Sequence, residues 1–142
     1  NELNTLKMKC ELLLTNGDTA DAVDCLEELQ KKYGDSSQRC CVLLKLYKVM
    51  KKRNLKSADS CFLRYVDCNP DIKDIGKEVI DHAHAMRNGS LFDEAIFWYE
   101  YILDRLPEGS IRNDAQYWVS DCIIQKRISE TNAFKDKGPS GW

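Results

Sequence analysis

Three alanines, Ala22, Ala58 and Ala95, recur at intervals of 36 and 37 residues, and Pro70 and Pro107 are again 37 apart. Each alanine opens the same spacing. Bulky residues follow four and seven positions later, as Leu26 and Leu29, Phe62 and Tyr65, and Tyr99 and Ile102. On an α-helix these positions share one face, where the small side chain lets another backbone approach and the larger ones fill the facing groove. Turn-forming runs, Asn16-Gly17-Asp18, Asn54-Leu55-Lys56 and Asn88-Gly89-Ser90, precede the three motifs. A unit repeated at this period cannot bury its apolar face alone. Neighbours must stack to complete a common core, and about three units are the minimum.

The periodicity predicts an all-α chain of seven helices. The first covers 2–15, with Leu3, Leu6, Cys10 and Leu13 on one stripe, and Asn16-Gly17 stops it. Asp18 or Thr19 starts the second, which Gly34-Asp35 ends. The third, from Ser36 or Ser37 to about 52, leaves only Lys45, Lys48 and Lys52 as a polar stripe and is expected to be buried on most sides. The fourth, from about 56 to 68, is closed by Asn69-Pro70, because a residue before proline is pushed out of helical geometry. The fifth covers about 74–87, with Val79, Ala83 and Met86 toward its partner, and the sixth 91–106. A seventh, near 112–128, carries Tyr117, Trp118, Cys122 and Ile123 and suits a terminal cap. A single repeat domain over 1–128 is expected, divided near 1–36, 37–73 and 74–110 with a capping helix at 111–128. A flexible tail follows over 129–142, where Gly138-Pro139-Ser140-Gly141-Trp142 has a non-native look.

Over residues 1–128 these features resemble the tetratricopeptide-repeat (TPR) family in a divergent form. The repeats exceed the usual length of about 34 residues. The Trp-x-x-Leu-Gly signature is absent, its places held by Leu6 and Cys10, Val42 and Leu46, and Val79 and Ala83. The resemblance implies a right-handed α-solenoid of antiparallel helix pairs, whose concave groove is lined by the first helix of each pair. It also implies a protein partner in that groove. Carried onto this chain, the lining is Lys7 and Glu11, then Leu43, Tyr47 and Met50, then Lys77, Ile80, His84 and Arg87. Apolar residues in the middle with charge at both ends suit a peptide or an amphipathic helix; packing of further helices there is the alternative. A clamp for chaperone C-termini is excluded, because Glu11, Leu44 and Asp81 stand where two asparagines and a basic residue are needed.

The sixth helix departs from its equivalents. Asp24 and Glu28 in the second, and Ser60 and Arg64 in the fourth, give way to Phe97 and Tyr101. With Trp98 they form an expected outer aromatic interface for a partner or a second copy, unless further helices cover it.

A 142-residue chain with 43% hydrophobic and 31% charged residues is foldable, and no apolar run reaches the ~20 residues needed to span a bilayer. No targeting peptide is read. The net charge of −2 gives no overall pull toward nucleic acid, although an RNA-binding helical repeat remains the alternative function. The run Lys45, Lys48, Lys51, Lys52, Arg53, Lys56 is the main charge cluster, explained by the helix dipole or by an acidic partner segment. No nucleophile, phosphate-loop or metal motif is found, so neither an enzyme nor a cofactor is expected. His82 and His84 sit two apart, on different helix faces. Asn88-Gly89-Ser90 matches a glycosylation acceptor but serves as a turn. The seven cysteines are expected as reduced, mostly buried thiols of a cytoplasmic or nuclear protein.

Overall fold

The structure is a computed structural model describing residues 1–33, 39–68 and 71–137. Among these it holds seven helices and no strand: α1 (Glu2–Thr15), α2 (Thr19–Tyr33), α3 (Arg39–Arg53), α4 (Leu55–Cys68), α5 (Ile72–Asn88), α6 (Phe92–Arg105) and α7 (Ser110–Lys137). Neighbouring helices pack against one another in chain order within each of two compact units, Asn1–Pro70 and Asp71–Trp142. No helix among the described residues is long and apolar enough to cross a membrane. Gly34-Asp35, Ser36, Ser37, Asn69-Pro70 and the 138–142 segment lie outside the described residues.

In the first unit, α1 packs on α2, α2 on α3, and α3 on α4. The Asn1 side chain caps α1 by accepting from the Asn4 amide at 2.8 Å, and Asn54 caps α4 by accepting from the Ser57 amide at 3.1 Å. At the end of α1 the Asp18 amide donates to the Leu13 carbonyl and the Gly17 amide to the Leu14 carbonyl, with Gly17 at φ +79°. This closure needs a left-handed residue, which glycine adopts without a Cβ penalty. Ala22, Leu26, Ala58 and Phe62 are fully buried, and Leu29 and Tyr65 at the seven-residue offset are buried with slight exposure. Tyr47 joins this core, its ring 4.8 Å from that of Phe62.

The expectation of seven reduced thiols is overturned for four of them. Cys10 is disulfide-bonded to Cys25 and Cys40 to Cys68, with Cα–Cα distances of 5.4 and 5.6 Å. One bridge ties α1 to α2 and the other α3 to α4. Spacing along the chain concealed these pairs, because neither forms a short cysteine motif and both depend on how adjacent helices are rotated. Cys41, Cys61 and Cys122 are free. A cytoplasmic or nuclear setting had rested on reduced thiols, and the two cystines remove that ground.

In the second unit α5 packs on α6, α6 on α7, and α5 also touches α7. Asp71 caps α5 by accepting from the Lys73 amide at 3.0 Å. At the other end the Leu91 amide reaches the Met86 carbonyl and the Ser90 amide the Arg87 carbonyl. Here Ser90, rather than its neighbour Gly89, takes the left-handed conformation, with φ 62°. Ala95, Tyr99 and Ile102 are fully buried with Val79, Ala83 and Met86 of α5 and Ala115 and Cys122 of α7. The Arg112 guanidinium donates to the carbonyls of Leu103 and Leu106, the latter at 2.7 Å, and so satisfies acceptors that the end of α6 leaves open. Helix α7 passes the expected end near Ile128 and continues to Lys137.

Candidate partner-binding site

The groove residues carried over by resemblance separate into two groups. Leu43, Tyr47 and Ile80 are buried and Met50 is half-buried, so the apolar middle expected of the groove belongs to the core. Helix α3 is turned so that Lys45, Lys48 and Lys52 take the open side instead. A rotation of about 100° per residue separates the two outcomes. Glu11 is exposed as expected and binds Lys45 at 2.8 Å, linking α1 to α3. The ammonium group holds the Glu11 carboxyl below its usual range. Lys7 is half-buried beside it on α1.

In the second unit Lys77, His84 and Arg87 do share an accessible face. Lys77 pairs with Asp81 one turn later, at 2.9 Å. Arg87 donates from Nε to Asp121 Oδ2 at 2.9 Å, its guanidinium lying 4.1 Å from the centre of the Trp118 ring. His84 stands edge-on to the same ring, at 5.7 Å. Tyr117 packs perpendicular to Trp118 at 4.8 Å and is 64% exposed. Helices α5 and α7 thus build one mixed aromatic and charged surface, to which α7 adds Tyr117, Trp118 and Asp121.

The electrostatics of this face follow from burial. His84 Nδ1 and the Tyr99 hydroxyl are 2.5 Å apart. Burial pushes the tyrosine hydroxyl up and the histidine down. Asp81 opposes the histidine shift and Arg87 reinforces it. Behind them burial pushes the Cys122 thiol up to about 11. Burial thus disfavours the ionised forms of both the Tyr99 hydroxyl and the Cys122 thiol.

Sequence reasoning named His84 and Arg87 but missed the part played by Trp118 and Asp121. A usable signal existed. Glu11 and Lys45 are 34 residues apart, and so are Arg87 and Asp121, which places opposite charges at the same separation on α1 and α3 and on α5 and α7.

The expected outer aromatic patch is smaller than its three residues suggested. Trp98 is only 1% exposed and meets the ring of buried His82 edge-on at 5.5 Å. Tyr101 is half-buried under the Arg105 guanidinium, 3.5 Å from its ring centre. Phe97 alone stays open, at 51%. One turn before it Asp93 binds Lys126 of α7 at 2.7 Å.

The chain matches no protein-family model and no curated protein sequence.

Proposed function

We propose that this chain is a protein-interaction module, a divergent TPR-like array of helix pairs that receives a peptide or amphipathic helix on the faces of its first helices. The observation that carries this reading is the α5–α7 surface, where Tyr117, Arg87 and His84 gather on the Trp118 ring, with Arg87 also paired to Asp121 and His84 hydrogen-bonded to Tyr99. Tyrosine, tryptophan and arginine are the residues that dominate binding energy at interfaces. Side chains already fixed in place lose little freedom on association. Phe97 offers a second, smaller contact for a partner or another copy.

The test uses the immobilised protein to capture partners from extract, comparing wild type with the double variant Tyr117→Ala, Lys77→Glu and with Phe97→Ala. Both lysine and tyrosine are exposed, so folding is expected to survive, as checked by circular dichroism. The double variant should lose the captured proteins that wild type retains at high salt. An identical set of captured proteins for all three would refute the reading.

A further inference from the structure

Between the end of α1 and the outer side of α3, the first unit holds a cavity of about 250 Å³ lined by Leu14, Gly17, Lys45, Lys48, Val49 and Lys52. Its walls have two characters. Leu14 and Val49 supply apolar surface, while Lys45, Lys48 and Lys52 fall three and four residues apart and therefore project along one side of the helix. Helix α3 contains six cationic residues and no carboxylate. Glu11 answers Lys45 at the edge of the cavity, and no ion pair among the described residues engages Lys48 or Lys52.

The macrodipole explains why cations gather in the last turn of a helix, which here means Lys51, Lys52 and Arg53. It does not explain Lys45 and Lys48, which lie earlier, nor their convergence on an apolar recess. We propose that this cavity receives a short acidic peptide segment of a partner protein, with a large apolar side chain seated against Leu14 and Val49 and flanking carboxylates on Lys48 and Lys52. This inference deepens the protein-interaction reading and rests on it.

Charge complementarity selects the occupant. A bare inorganic anion would leave the apolar wall unused, and lysine offers point charges without the two-pronged geometry of arginine. A phosphate chain such as RNA would likewise leave Leu14 and Val49 unused, and the protein's net charge of −2 gives it no overall attraction.

The experiment measures fluorescence anisotropy of a labelled peptide in which glutamates flank a central leucine. Comparators are the same peptide with serine for leucine and a single-stranded RNA oligonucleotide. The protein is wild type, the pair Lys48→Glu, Lys52→Glu, or the equally charged control pair Lys9→Glu, Lys31→Glu, all four lysines being exposed. Affinity should fall at least about tenfold in the Lys48/Lys52 variant and change less than about threefold in the control. Serine for leucine should cost about tenfold or more in wild type. Equal losses in both variants, or no effect of the leucine, would overturn the proposal; tighter binding of the RNA through the same lysines would replace the peptide with nucleic acid. If the acidic peptide fails while the Tyr117→Ala, Lys77→Glu variant still loses its captured partners, the cavity inference falls and the interaction module stands.

Discussion

The two cystines offer the sharpest test of the first unit. The Cys10–Cys25 bridge closes a separation of 15 residues and the Cys40–Cys68 bridge one of 28. With the loop-closure entropy of the unfolded chain, these lengths correspond to about 3 and about 3.6 kcal/mol at room temperature. Replacing Cys10 and Cys25 together by alanine should therefore lower unfolding stability by about 3 kcal/mol. Some loss of packing adds to this, since both sulfurs lie in the core, with residue exposures of 1% and 4%. For a unit of this size such a change corresponds to a fall of roughly 12–24 °C in midpoint. Urea and thermal unfolding followed by circular dichroism would measure it, and strong reductant applied to wild type should lower stability further, because it opens both bridges. Thiol titration of the denatured, unreduced chain should find three thiols, those of Cys41, Cys61 and Cys122, and seven after reduction. Before denaturation only the exposed Cys41 should react, because burial raises both Cys61 and Cys122. Seven thiols without reduction, or a double alanine variant as stable as wild type, would refute the stapled hairpins.

Three further outcomes follow from the second unit. Ser90 occupies left-handed backbone, so Ser90→Gly should raise stability by about 0.5–1 kcal/mol in urea unfolding, provided the closure at the end of α5 is as described. Arg112→Ala removes charge-assisted hydrogen bonds to two α6 carbonyls and should cost about 1.5–3 kcal/mol, with Arg112→Lys restoring little because one ammonium cannot reproduce the planar fork. Because burial holds folded His84 below the usual histidine value of about 6.5, the unfolded chain takes up its proton first as the pH falls. This contribution to stability is therefore complete above that value and is lost on acidification toward the depressed folded value. Stability measured from pH 8 to 5 should slope down more gently in His84→Gln than in wild type.

The second helices were legible from local pattern. Ala22, Leu26 and Leu29, then Ala58, Phe62 and Tyr65, then Ala95, Tyr99 and Ile102 are all buried, as their spacing required. Such a stripe depends only on the helical period, and every residue in it faces the same way. The first helices were harder to read. In α3 apolar residues occur nearly all round, so the period does not select one face. The lysine stripe was visible, but the groove frame placed Leu43 and Tyr47 where the structure has Lys45 and Lys48. Trp98 illustrates the same difficulty, since its neighbour Phe97 is open while Trp98 itself is enclosed with His82.

The sequence by itself determined the helical class, the turns at Asn16-Gly17, Asn54 and Asn88-Gly89-Ser90, and the buried face of α2, α4 and α6, because these follow from interactions within about four residues along the chain. Tertiary structure alone decided that Cys10 meets Cys25 and Cys40 meets Cys68, that Arg87 lies between Asp121 and Trp118, and that three lysines border a cavity with Leu14. Each of these meetings requires two helices to be set in both rotation and height against each other. A single-residue change in either turns a side chain by about 100°, enough to move it from a partner's surface to the core.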